Sequence, residues 1–431
     1  MTHPITDDLA TTAAAPALPS SLVRNRWVQL TAGILGMVAV ANFQYAWTLF
    51  EKPLVRRHGW TPVQVSDALA VYFVLAQTWL VPLEGYLAER FGPRRLLVLG
   101  GALAALAWVL NANTSSLGVL YAAQVLSGCG SGIVYSISMG NALKWFPDRR
   151  GLAAGLTAAA FGAGSAATIL PIKATIRVAG YESAFLWFGL GQGLVVVLVG
   201  LVLRFPEPRE VPAPVQSATC SPARESTPGE MLRTPGFWLL YGMMTMGAVP
   251  GLLMLIRLAR IADDFGVAQA SMSLFGLGPF AALSVALMLD RISGGLTRPV
   301  FGWLSDHIGR ELAIFLAFAL EGAALLVLIR FSSNPLVFVL MSGLAFFGWG
   351  AVFSLFPAVS GDMFGRKFAT TNYGLLYTAK GAASLLVALC NRLQAETGSW
   401  TLVFALMIAA DWTAALLALF VLPRVRRRSA P

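Results

Sequence analysis

Two cations stand where water cannot easily solvate them. Lys380 lies in "LLYTAKGAAS" (375–384), with no acidic residue within ten positions on either side. Arg298 lies in "ISGGLTRPVFGW" (292–303), eight residues before Asp306. A charged side chain inside an apolar segment of spanning length costs several kcal/mol unless it is paired or faces water, so such residues mark functional sites. At ~1.5 Å per residue, Lys380 is ~15 Å from the start of its helix near Thr370, and Arg298 is ~12 Å from the end of its own. Both depths approach the middle of a hydrocarbon layer ~30 Å thick. That depth argues against snorkelling to the interface. Two such cations suit a small dianion: arginine offers a bidentate fork to one carboxylate, and lysine a compact point charge to another. Phosphate also fits the charge, but phosphate carriers usually need a proton-handling acid, and none adjoins these two residues in sequence. The bland alternative is that each cation pairs with an acid brought in by the fold.

An aromatic set recurs at matching depths. "FQYAW" supplies Gln44, Tyr45 and Trp47, and "GIVYS" supplies Tyr135. "AAAFGAG" supplies Phe161, and "FFGWGAVF" supplies Trp349 and Phe353. Tyr377 precedes Lys380 by one helical turn. Singly, such rings face lipid or core; together they can wall a small cavity that excludes water and strengthens electrostatics. The other ionisable residues inside apolar stretches are Glu84, Asp290, Arg291, Glu321 and Asp411. Asp290 and Arg291 lie near the opposite surface and read as a local ion pair. Glu84 adjoins a charged turn. Glu321 and Asp411 read as packing or helix-contact residues. The three histidines (His3, His58, His307) all fall outside the apolar stretches, and the three cysteines have no ligand spacing. No enzyme constellation, metal site or cofactor motif is visible.

These residues are positioned by a chain of 431 residues that is 57% hydrophobic and 12% charged, with 42 glycines besides. Soluble domains run at about 45–50% apolar and 25% charged, so lipid is the solvent for most of this surface. The expected fold class is an all-α membrane protein of twelve spans. Their approximate limits are 27–50, 67–88, 94–111, 116–142, 151–174, 183–204, 235–258, 276–304, 310–330, 335–359, 370–393 and 400–422. Two pseudo-symmetric six-helix bundles follow, at 26–205 and 235–423. They are joined by a Pro-, Ser- and Glu-rich cytoplasmic linker at 206–234. A disordered tail (1–25, with no cleaved-leader pattern) and a basic tail (424–431) flank them. With the N-terminus inside, 19 Lys and Arg fall on the cytoplasmic side and 9 on the other, with three inside spans. The bias places both termini in the cytoplasm. It also accounts for the net charge of +10 without nucleic acid.

The chain repeats. "GYLAERFGPRR" (Gly85, Glu89, Arg90, Gly92, Arg94) recurs as "GWLSDHIGRE" (Gly302, Asp306, His307, Gly309, Arg310), at an offset of 217. A second pair agrees, "KWFPDRRGLAAGL" with "DMFGRKFATTNYGL", where Phe146 and Phe364 are 218 apart. Two unrelated matches at one spacing indicate duplication. Physically the signature is a tight turn whose glycines permit close approach and whose acid can pair with a base or a helix N-terminus. Two copies at the second helix of each half favour a gate. The repeat aligns Arg298 with Val81 and Lys380 with Phe161, so the scaffold itself does not require either cation.

The duplicated turn resembles the major facilitator superfamily. That resemblance implies two bundles rocking about a central site. A narrower likeness lies in "NRWVQL", "FQYAWTLF", "SGIVYSISMGNALKWFPDRRGLAAG", "GEMLRTPGFW", "RPVFGWLSDHIGR", "FFGWGAVFSLFPAVSGDMFG" and "NYGLLYTAK". These are similar to the oxalate:formate antiporters, from Asn25 to about Ser384. The resemblance implies that Arg298 and Lys380 bind substrate, with Tyr45, Tyr135 and Trp349 as cavity aromatics and Gln44 beside them. Three positions depart: Phe161 and Phe353 replace tyrosines of the family, and Tyr377 replaces a tryptophan. The expectation is therefore an inner-membrane antiporter of small carboxylates, oxalate against formate by resemblance, working as a monomer in lipid. A proton-coupled monocarboxylate carrier using Asp290 or Glu321 stands as the alternative, and a non-transporting carboxylate sensor as a remoter one.

Overall fold

In lipid every backbone amide must be satisfied within its own segment, and the chain answers with helices almost throughout. The computed structural model describes residues 24–207, 209–211, 225–274 and 277–429. Most of the expected N-terminal tail and interbundle linker, and Cys220, lie outside these residues.

The first half contains α1 (Arg26–Tyr45), α2 (Trp47–His58), α3 (Pro62–Asp67), a wide π turn (Ala68–Phe73), α4 (Val74–Trp79) and α5 (Val81–Phe91). It continues with α6 (Pro93–Ala112), α7 (Leu117–Trp145), α8 (Arg150–Ala163) and α9 (Ala166–Val202). After the short α10 (Pro228–Leu232) come α11 (Pro235–Asp264), a β-hairpin, α12 (Ala282–Ile308) and α13 (Arg310–Arg330). The last group is α14 (Pro335–Gly350), α15 (Val352–Phe364), α16 (Ala369–Thr397), α17 (Thr401–Leu416), a π turn (Leu417–Val421) and α18 (Leu422–Ser429). Polar caps start many of them: Asn25, Ser116, Thr234 and Asn334 each accept a backbone N–H of the first turn. Proline follows the cap in α3, α10, α11 and α14, where its missing N–H leaves nothing unsatisfied.

Among the described residues, nine helical segments are long and apolar enough to cross a membrane. Their outer faces carry bare apolar side chains such as Leu170, Val178 and Trp187, each more than 70% exposed. So much exposed hydrocarbon marks a lipid-facing belt.

The all-α class holds, but two expected span limits need correction. A β-hairpin stands where the eighth span was expected to start: β1 (Ser271–Leu274) pairs antiparallel with β2 (Leu277–Ala281), Ser271 opposite Ala281. Gly278 and Pro279 oppose helix formation there, so the eighth apolar helix begins at Ala282 rather than near 276. The fifth stretch is interrupted after Ala163, and α9 turns sharply at Gly180 (φ 83°, ψ 164°). That backbone conformation favours glycine.

The breaks have a common level. α1 gives way to α2 just past Tyr45, α8 ends two residues past Phe161, and α14 gives way to α15 between Trp349 and Phe353. Interrupted helices gather around one place, as expected where backbone lines a cavity.

The halves meet through two glycine crossings that mirror each other. A Cβ added at Gly85 would lie 2.9 Å from the Thr370 carbonyl of α16, and one at Gly302 would collide with the Gly151 carbonyl of α8. Further along the same pairs, a Cβ at Gly374 would lie 3.1 Å from Pro82 Cα, and one at Gly155 would lie 2.9 Å from Pro299 Cα. Thus α5 crosses α16 as α12 crosses α8.

These contacts set a stability test. Gly302→Val must separate two backbones, and overpacking of this kind costs about 1–3 kcal/mol. A lowered melting temperature of the detergent-solubilised protein is expected. Gly242→Ala, in α11 with nothing within 4 Å of the new methyl, should leave it unchanged or raise it.

Candidate functional site

Nine side chains from distant parts of the sequence line one small cavity: Gln44, Tyr45, Tyr135, Phe161, Arg298, Trp349, Phe353, Tyr377 and Lys380. All nine are singled out in the sequence; Trp47, grouped with them there, is buried but does not line the cavity. Arg298 and Lys380 are each 4% exposed. The rings form a connected wall: Tyr135 stacks on Tyr377 at 4.6 Å, Phe161 meets Tyr45 and Tyr135 edge-on, and Trp349 meets Phe353 at 5.2 Å. Phe353 lies between the cations, with the Arg298 guanidinium 5.2 Å and the Lys380 ammonium 5.8 Å from its centroid. A ring face favours nearby cations without neutralising them.

No carboxylate is paired with either cation among the described residues. Arg298 donates from Nη1 to the Ala158 carbonyl at 2.5 Å. Gly162 makes room for the guanidinium, since a Cβ there would meet Nη1. Lys380 donates to Tyr377 Oη at 3.1 Å and to Gln77 Oε1 at 3.3 Å. Gln77, fully buried in α4, was missed by the sequence reading. The signal was an amide in an otherwise apolar span, "FVLAQTWL". Three buried donors around the cavity residues lack acceptors: Arg298 Nε, Trp349 Nε1 and Gln77 Nε2. Buried polar groups are normally satisfied, so this surplus of donors and positive charge suits an acceptor-rich anion.

A second cavity reaches Arg298 from the side away from the repeated turns. Tyr45, Asp290, Arg291, Gly294 and Trp349 are among its lining residues. The expected Asp290–Arg291 ion pair is absent. Arg291 sits 5.4 Å over the Tyr45 ring, while both Asp290 oxygens lack a hydrogen-bond partner. Consecutive helical residues point about 100° apart, which separates the two groups.

On the repeated-turn side the halves are locked by charge. Glu89 accepts from the Thr370 N–H at 3.0 Å and the Thr371 hydroxyl at 2.5 Å, at the N-terminus of α16. Asp306 accepts from the N–H groups of Gly151 (3.0 Å) and Leu152 (2.9 Å), at the N-terminus of α8. Each carboxylate thus caps a helix of the opposite half, where free N–H groups and the helix dipole favour negative charge. Lys144 bonds Glu89 at 3.0 Å. Arg310 bridges Asp306 (2.6 Å) and Asp362 (2.8 Å), and Arg150 reaches Asp362 across the interface at 2.7 Å. Gly92 and Gly309 hold matching positive φ values of 87° and 93°. Arg90 and Arg94 stay outside this network; both are exposed, and Arg90 bonds Tyr86 one turn back. Glu84 does not join the turn either. It is buried against Gly132 with both oxygens unpartnered.

The fold and the lock define a class of membrane carrier, and comparison with known proteins agrees. The chain superposes on a bacterial homologue of the iron transporter ferroportin with a TM-score of 0.66 at 15% identity, over 90% of this chain and 98% of the other. It superposes on the proton:xylose symporter XylE with a TM-score of 0.65 at 13% identity, over 94% and 96%. The family model of the Major Facilitator Superfamily matches residues 32–295 and 292–431. The chain belongs to the Major Facilitator Superfamily and, within it, to the oxalate:formate antiporter family: it is 32% identical to the oxalate:formate antiporter of Oxalobacter formigenes over 409 residues, 95% of this chain and 94% of that one. Monocarboxylate transporter 12-B of Danio rerio is 26% identical over 69% of this chain and 66% of its own length. The protein is a multi-pass membrane transporter and not an enzyme.

Asp362→Asn would remove the negative charge shared by two guanidiniums and turn one of the two accepting oxygens into a donor that faces a cation. Breaking a buried pair from one side costs about 3–5 kcal/mol, so the locked arrangement should lose population. A cysteine at Ser360, 2% exposed here, should then react faster with a maleimide in the Asp362→Asn background.

Proposed function

We propose that this transporter exchanges small carboxylates across the inner membrane by alternating access, with oxalate and formate as the pair. The observation that carries the reading is the pairless couple Arg298 and Lys380 in an aromatic-walled cavity with unused donors beside them. The identity to an oxalate:formate antiporter over nearly the whole chain supports the same substrate class. Oxalate bridges the two cations, with Arg298 forked on one carboxylate and Lys380 on the other. Formate satisfies mainly one of them. Phe161 and Phe353 remove two hydroxyls from the wall that the resemblance would supply, while Tyr377 adds one already engaged by Lys380. Selectivity between oxalate and its homologues therefore falls on Gln77, Tyr135 and Trp349.

The reading takes the repeated-turn side as cytoplasmic, with twelve spans and two bundles at 26–205 and 235–423; the Lys and Arg bias supports this orientation. Anions then reach Arg298 from the outside through the second cavity while the cytoplasmic lock holds. Occluding an empty site would bury two unpaired like charges, which is costly. Loaded forms cross more readily, and exchange outruns net flow. Swapping a dianion for a monoanion moves charge, so the exchange is electrogenic.

Counterflow of labelled oxalate in proteoliposomes, challenged with formate, malonate, lactate and acetate, tests the reading. Arg298→Ala and Lys380→Ala should each abolish it; exchange surviving in either variant would refute the site. Efflux that runs as fast without external carboxylate as with it would refute obligatory exchange.

One observation favours a second reading, proton-coupled monocarboxylate transport. Asp290 is buried in the wall of the access cavity with no hydrogen-bond partner, and several relatives are monocarboxylate transporters. External alkalinisation during lactate uptake, lost in Asp290→Asn, would establish it. Uptake with no proton movement would exclude it.

A further inference from the structure

Away from the cavity, α13 and α17 bury two carboxyl groups against each other's helix. Glu321 and Asp411 are both 0% exposed, and all four side-chain oxygens lack a hydrogen-bond partner. Glu321 lies eleven residues into α13, hence ~16 Å from its start and at mid-membrane depth. Two glycines bring the surrounding helices onto it. A Cβ at Gly348 of α14 would lie 2.7 Å from Glu321 Cβ, and one at Gly322 would lie 3.2 Å from Asp411 Cβ. Glu321 is thereby clamped between α14 and α17.

No cation on a packed element serves the pair among the described residues. α14 and the π turn Leu417–Val421 carry no charged residue. On α12, Arg298 is turned to Ala158 and Phe353, Asp306 caps α8, Arg291 covers Tyr45, and Asp290 lines the access cavity. His307, on the same helix, hydrogen-bonds the Trp303 carbonyl. On α15, Asp362 is held by Arg150 and Arg310 at the lock. On α11, Arg257 bonds Asn391, and Arg260 pairs with Asp264 at the exposed end. On α16, Lys380 is engaged by Gln77 and Tyr377, and Arg392 and Glu396 lie toward the far end of the helix. Two carboxylates left ionised here would have neither water, nor a cation, nor a donor.

We propose that Glu321 and Asp411 form a proton-binding site inside the membrane, separate from the anion cavity and coupled to it through α14. The ligand is the proton itself: one carboxyl donates its O–H to the other, or both are neutral. The coupling follows from adjacency in sequence, because Gly348 rests on Glu321 and the next residue, Trp349, lines the cavity. Removing the proton places unsolvated negative charge behind that wall and works against the closed packing of α13, α14 and α17. The proton site does not depend on which carboxylate is carried; only its transport readout uses oxalate.

The test uses the full chain and the variants Glu321→Gln, Asp411→Asn and the double amide, which keep shape and fix a neutral side chain. Infrared difference spectra against pH should show a protonated-carboxyl C=O band that both single variants alter and the double variant lacks. Oxalate counterflow in proteoliposomes should fall at alkaline pH for the wild type, and the double variant should lose that fall. Monodisperse elution and a melting temperature close to that of the wild type verify that the variants are folded. A band indifferent to both substitutions overturns the proposal, as does a double-variant pH profile superimposable on the wild type. Dependence on sodium at constant pH, lost in the same variants, also overturns it by assigning the pair to a metal cation. Because the spectra need no transported substrate, a wrong substrate assignment and a wrong proton site fail separately.

Discussion

The structure turns on one constraint: two cations are kept at mid-membrane depth without a protein counter-charge. Arg298 has a carbonyl and a ring face; Lys380 has a phenol, an amide oxygen and two ring faces. Dipoles and quadrupoles of this kind offset part of the desolvation but leave the net charge intact. Much of the surrounding architecture serves that condition. Glycine at 162 admits the guanidinium, helices break at the cavity, and aromatic rings in mutual contact keep bulk water out.

The lock on the other side obeys the opposite rule. There each acid finds donors and each buried base an acid, and Arg150–Asp362 and the two helix caps cross between the halves. Because Glu89 and Asp306 cap helices rather than only meeting point charges, their bonds require both the right distance and the right axial alignment. A small rocking movement breaks several at once, which makes the interface two-state rather than gradual. The duplication is also inexact in a useful way. Lys144 corresponds to Asp362 at the offset of 218, so one half presents a base where the other presents an acid. Asp362 can therefore collect Arg150 from the far half, a bond with no counterpart at Lys144.

Much of this was legible in the sequence, for reasons that differ by residue. Lys380 and Arg298 stand out because charge in an apolar span is rare and has a cost that scales with depth. Gly85 and Gly302 stand out because duplication preserves spacing. The β-hairpin was not legible, since a short apolar run such as "SLFGLGPFAAL" reads equally as the start of a helix. Gln77 escaped because an uncharged amide costs little in a span and can satisfy itself in many ways. Arg90 and Arg94 were expected at the gate because they share the motif with Glu89; helical phase turns Arg90 about 100° away from Glu89, to the surface. The orphaned state of Glu321 and Asp411 needs three helices in register, which pattern alone cannot supply.

Division of labour between the halves then gives the rocking movement its logic. Both cations belong to the second half, whereas Tyr45, Tyr135, Phe161 and Gln77 belong to the first. On the proposed reading, an anion held by the second half would still touch the first half's phenols, amide and ring edges, and so would draw the two halves together around itself. Without it, the first half closes over uncompensated positive charge. On that reading the free energy of occlusion would be set by cargo as much as by protein, and the site would discriminate by whether a ligand can satisfy both cations at once. Charge and span of the anion matter more than its chemistry elsewhere. Hydroxyls absent from Phe161 and Phe353 remove fine discrimination without removing that coarse one.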